Sequence, residues 1–202
     1  MKLIDAQSRL KTFAQDFLQS SDVAAILQVS RPHASKIMTR LAQSGFVIQL
    51  TRGKWALNQN IEPFSVPQFI VSPSLSYISL QSALFYHGII SQVPEITYAV
   101  STSKTRKYRT PIGTFSIHHL EPDFFFGFES VGSHSVMMAT PEKALLDFLY
   151  LSPTRSRLFH ALPELEIPEK FNLKQALDMT ERIHSKSRRT IVRDLLKSLN
   201  LI

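Results

Sequence analysis

The chain has 202 residues, of which 44% are hydrophobic and 19% charged, with no cysteine and a formal net charge of +7. That composition excludes a disordered chain, and the missing cysteines exclude a disulfide framework, cysteine-based zinc sites and thiol catalysis. The positive balance favours an acidic partner such as nucleic acid.

Charge is unevenly spread. Residues 1–62 hold eight Lys or Arg against four acids, a net of +4. From Thr140 onward eleven basic residues face eight acidic ones, a net of +3, and the stretch between them is balanced. The opening MKLIDAQSRL has no apolar signal core. No window approaches the roughly 18 apolar residues of a membrane span, so neither leader nor span is expected. With the lack of cysteine, this points to a cytoplasmic protein.

Residues 3–19 are predicted as one amphipathic helix, packing through Leu3, Leu10, Phe13, Ala14, Phe17 and Leu18. Ser20, Ser21 and Asp22 offer oxygens to cap a second helix, whose apolar residues are Val23, Ala24, Ile26 and Leu27. After the break at Gln28-Val29-Ser30, a third helix is predicted, capped by Ser30 and with Pro32 in its first turn. Ala34, Ile37, Met38, Leu41 and Ala42 give it one apolar face, and Gly45 is placed to end it. Phe46, Val47, Ile48 and Leu50 then read as a strand, Thr51-Arg52-Gly53 as a turn and Lys54–Leu57 as a returning strand. Two helices followed by such a hairpin are the plan of a winged helix-turn-helix, which sets one helix in the DNA major groove. Arg31, His33, Ser35 and Lys36 are of the type and place to read bases, with Thr39 on the same polar face. Arg40, Arg52 and Lys54 are placed for phosphates.

Three prolines between Asn58 and Pro73 predict an irregular, stiff connection, and a domain boundary near residues 60–67. The division expected is a DNA-binding domain over 1–62 and an α+β domain over 63–202. The second opens with a predicted buried helix over 76–87, ended by Gly88, followed by strands over 95–101 and 114–119. Between those strands runs a basic segment, Lys104, Arg106, Lys107 and Arg109 around Tyr108, predicted as a loop able to meet nucleic acid or an acidic partner. The aromatic run Phe124–Phe128 is expected in the core or between domains, and Ser135–Met138 as a short strand. Thr140-Pro141-Glu142 caps a core helix over 141–151. Two helices, 172–183 and 186–199, close the chain, and the second carries a stripe of Arg189, Arg193 and Lys197 as a further candidate contact.

The order of these pieces resembles one known family. SRPHASKIMTRLAQSGFV is followed by YHGI, ITYAVS, RTPIGTFSIHHL, FFFGF and ATPEKALLDFLYL. This resembles the AbiEi family, the antitoxins of type IV toxin–antitoxin (abortive infection) systems, over nearly the whole chain. The RTPIGTFSIHH and ATPEKALLD segments are the particular ones. The resemblance implies an N-terminal domain that binds inverted repeats in its own promoter and represses it, with dimerisation or cooperative binding on DNA. It implies a C-terminal domain that counters a nucleotidyltransferase-like toxin, not necessarily in a stable complex.

A second reading is a protein-interaction module that neutralises a partner without sequence-specific DNA binding. A third, a nucleic-acid-processing enzyme, has little to stand on. His118 and His119 are adjacent on a strand and point to opposite faces, so they do not share a metal ion with Glu121 or Asp123. Nothing in the spacing ties His87, Glu142 and Asp147 into an acid–base set, and no Gly-rich phosphate loop, G-x-S-x-G or H-E-x-x-H occurs. No catalysis, cofactor or metal is expected.

Overall fold

The computed structural model of the protein describes residues 3–13, 15–58, 60–132, 136–152 and 164–199. They form a mixed α+β arrangement with one three-stranded and one six-stranded sheet.

The first unit runs α1 (Leu3–Lys11), β1 (Phe17–Gln19), α2 (Ser20–Leu27), α3 (Arg31–Gln43), β2 (Ile48–Thr51) and β3 (Lys54–Ala56). The single helix expected over 3–19 is thus a helix and a strand. α1 packs through Ala6 and Leu10, and beyond its end Phe13 stands exposed. Ala14 lies outside the described residues. Phe17 and Leu18 alternate instead of sharing a helix face, because β3 supplies backbone partners: Phe17 opposite Ala56 and Leu18 opposite Trp55. The strands stand in the order β1-β3-β2. The cap of α2 is Gln19, whose N–H donates to the Asp22 carboxylate at 2.8 Å. Ser30 stands at the N-cap of α3 without capping through its hydroxyl, and Gly45 follows that helix at φ +73°, where only glycine is at ease.

Strand β3 separates two cores. Trp55 enters the smaller one with Leu18, Val23, Ala34, Met38 and Leu41. Ala56, on the opposite face of the strand, joins Leu50 and Ile61 in the larger core.

The rest of the chain forms α4 (Val66–Val71), β4 (Ser76–Ile78), α5 (Leu80–Tyr86), β5 (Thr97–Ser101), β6 (Arg106–Thr110), β7 (Gly113–His119), β8 (Phe128–Val131), β9 (Val136–Ala139), α6 (Pro141–Leu151), α7 (Leu173–Met179) and α8 (Lys186–Ser198). The sheet order is β6-β7-β5-β4-β9-β8, parallel at β7–β5 and β4–β9 and antiparallel elsewhere. Three expectations change. The connection over 58–73 contains α4, with Pro67 in its first turn, where a missing N–H costs nothing. The helix expected from Ser76 starts at Leu80, because Ser76–Ile78 pairs with β5 and β9 inside the sheet. The basic run is an edge strand, β6, with only Lys104 left in the preceding loop. Strand β9 begins at Val136, and Ser135 lies outside the described residues. Helix α6 has the predicted bounds, with Thr140 Oγ1 accepting from the Lys143 N–H at 3.3 Å. α7 gives way to a short 3-10 turn over Thr180–Arg182 before α8. No helix among the described residues is long and apolar enough to cross a membrane.

Candidate nucleic-acid interface

Helix α3 has two unlike faces. Ala34, Ile37, Met38 and Leu41 are buried, which turns Arg31, His33, Lys36, Thr39 and Arg40 outward, all exposed. Arg52 is exposed at the hairpin turn. Among the described residues no carboxylate pairs with Arg31, Lys36, Arg40 or Arg52, so their charge is uncompensated. Arg31 and Arg52 come together on one open cleft over the start of α2, which Gln19, Ser20, Ser21, Gly53 and Lys54 complete. Of the two arginines, Arg52 stands at the hairpin turn, where a guanidinium suits a phosphate oxygen, and Arg31 opens the exposed face of α3.

Two of the expected contact residues are used inside the fold. The Ser35 hydroxyl donates to Ser20 Oγ at 3.3 Å, and the same oxygen accepts from Trp55 Nε1 at 3.1 Å. Ser35 therefore ties α2, α3 and β3 together instead of facing a groove. Lys54 was expected on phosphate. Its ammonium instead donates to the carbonyls of Phe69 at 2.8 Å, Ile70 at 2.6 Å and Ser72 at 2.9 Å, at the end of α4. An ammonium has three donors, and all three are taken. Burial also pulls its pKa below the ordinary lysine value. Alternation explains the placement: Lys54 shares a strand face with Ala56, which looks into the larger core, while Trp55 looks the other way. The Thr39 hydroxyl donates to the Ser35 carbonyl at 2.9 Å, a bond within the helix that leaves the residue on the exposed face.

Set against known proteins, the chain matches no family model and no curated protein.

The two further basic candidates differ in kind. Lys104, Arg106, Lys107 and Arg109 are all exposed, and no described carboxylate pairs with them. Arg106 lies 5.2 Å from the ring centroid of Tyr108, which packs on the larger core. Strand β2 of the hairpin runs close to β6, so these cations lie beside the first unit. The α8 stripe is largely spent internally. Arg189 reaches Glu181 at 2.9 Å and donates twice to the Ile183 carbonyl, and Arg193 reaches Glu181 at 3.0 Å. These bonds staple α8 to the turn before it. Lys197 alone of the three stays outside that staple.

The acids and histidines of the second unit do not converge. His87 Nε2 lies 2.7 Å from the Ala139 carbonyl, Glu142 accepts from the Asn172 N–H at 2.9 Å, and Asp147 sits in a separate buried network. His118 is buried beside Ser116 Oγ at 2.9 Å, and burial lowers its pKa to about 4. His119 faces outward, with Nε2 3.9 Å from Glu121. Among the described residues no group of His, Asp and Glu is arranged to hold a metal ion.

Sequence reasoning missed that buried network. Weighing Glu142 against its neighbour Lys143 hides the pair that forms. Lys143 and Asp147, four apart on α6, make an ion pair with both side chains fully buried. Asp147 also accepts from Ser79 at 2.7 Å and Tyr77 at 2.9 Å. The ammonium lies 4.0 Å from the Phe124 ring centroid and 4.9 Å from that of Phe126, so the aromatic run is its box. Burial pushes the lysine down and the carboxyl up, and their mutual attraction opposes both shifts. The same burial, with Asp147 beside it, drives Tyr77 well above its usual range. Gly127 closes the box at φ +72°, where a Cβ would stand 3.0 Å from Lys143 Cγ.

Proposed function

We propose that the protein is a DNA-binding transcriptional repressor and antitoxin of a type IV toxin–antitoxin system, and that it acts without catalysis. The first unit serves as a winged helix-turn-helix, α3 as the recognition helix, and β2–β3 as the wing. The observation that carries this reading is the outward face of α3, whose exposed Arg31, His33, Lys36 and Arg40 form no ion pair among the described residues. Helix–strand–helix–helix–strand–strand order with β3 central supports the same reading. Arg31, His33 and Lys36 read base edges, Thr39 and Arg40 lie along the groove wall, and Arg52 holds a phosphate. The β6 cations extend the positive surface along a bound duplex. The second unit counters a nucleotidyltransferase-like toxin, following the family resemblance.

Fluorescence anisotropy on DNA from upstream of the gene tests it. Arg31→Ala is expected to weaken the specific site by about 1–3 kcal/mol while sparing unrelated duplex, the signature of a bidentate base contact. Equal affinity of wild type and variant for both duplexes overturns the assignment.

A further inference from the structure

We infer that Lys54 is a latch that fixes the angle between the α3 face and the six-stranded sheet, and so governs DNA binding without touching DNA. This rests on the DNA-binding reading above. The ammonium ends on three carbonyls at the last turn of α4, the element through which the chain enters the second unit. It lies 5.6 Å from the Phe69 ring centroid, and that ring stacks on Phe17 of β1 at 4.9 Å and 20°. Lys54 therefore joins β3 to α4, and the Phe69 ring carries the link on to β1.

What the latch controls follows from the hairpin's position. Strand β2 neighbours both α3 and β6. Arg52, at the hairpin turn, stands two residues before Lys54, so the latch anchors the strand from which that cation projects. A duplex longer than one turn engages α3 and the exposed cations of β6 together only while their relative angle is held. Two weak contacts on one rigid body gain affinity from that linkage, and lose it when the joint is loose.

The absence of cysteine allows a nitroxide pair at Gln43→Cys and Glu129→Cys, both exposed positions in the two units. The parent gives one narrow distance distribution. Lys54→Met broadens it, and so does Phe69→Leu, which keeps the ammonium but removes the ring beneath it. Binding is then read on mixed-sequence duplexes of about 10 and about 30 base pairs, roughly one and three helical turns. Lys54→Met weakens the longer duplex about tenfold or more and leaves the shorter one unchanged. It also leaves the salt slope unchanged, whereas Arg52→Ala lowers that slope by about one. A narrow distribution in Lys54→Met overturns the latch, whatever Phe69→Leu shows, and a slope lowered by about one in Lys54→Met makes the residue a phosphate contact instead. If the parent binds neither duplex, the DNA-binding reading fails, while the label distances still decide whether the latch exists.

Discussion

At the scale of single residues, burial decides what a charge does. Lys143 and Asp147 are both removed from water, and their mutual attraction offsets part of the cost of burying each charge. Lys143→Met leaves an uncompensated carboxylate and is expected to cost about 3–5 kcal/mol in urea unfolding. Adding Asp147→Asn to it costs far less than the two single losses combined, because the second change removes the stranded charge. Strictly additive losses would mean that the pair contributes nothing as a pair. His118 gives a pH signature. Its pKa falls to about 4 when folded, against 6.5 as an unperturbed histidine. Only the unfolded chain takes up the proton between those values, so stability is full above pH 6.5 and falls as pH drops toward 4. About 2 kcal/mol is expected to go between roughly pH 6.5 and 5. His118→Gln should flatten that portion of the curve, and an unchanged slope would assign it to other groups. The Lys143–Asp147 spacing is legible in the sequence as a helical pair, but its burial is not, since the aromatic box is gathered from another segment.

At the scale of elements, what could be read depended on where each element finds its partners. Helix α6 carries its own start signal in Thr140-Pro141-Glu142, and β7 its own alternation, so both were legible. Thr140→Ala should cost α6 about 1 kcal/mol of stability, seen as a lowered Tm, and an unmoved Tm would show the cap to be idle. Strands β1 and β4 were not legible, because each is three residues long and gains its backbone partners from remote sequence, whereas β6 pairs locally with β7 but its cationic run carries no apolar alternation. Cations along β6 suit an exposed sheet edge as well as a nucleic-acid contact, since charge there discourages pairing with another chain. Every residue of α6 from Glu142 to Leu151 is buried, so the ATPEKALLD segment serves the interior and not a surface. A partner of the second unit must therefore meet other elements.

At the scale of the molecule, the hairpin belongs to both units. Trp55 serves the small core, Ala56 and Leu50 the large one, and Lys54 grips α4. Side chains of one hairpin thus pack into two cores. Most of the candidate site was legible from helical spacing, since Arg31, His33, Lys36, Thr39 and Arg40 fall opposite the apolar face. Ser35 and Lys54 were not, because a half-buried hydroxyl and an ammonium on helix-end carbonyls depend on tertiary neighbours. The proposed function stands or falls with DNA reading by the α3 face. Nuclease footprinting of the DNA upstream of the gene tests it most directly, with the wild type beside Arg31→Ala/Lys36→Ala. Protection of paired repeats is expected from the wild type, and its loss from the double variant. No protected site, or equal protection by both proteins, would contradict it.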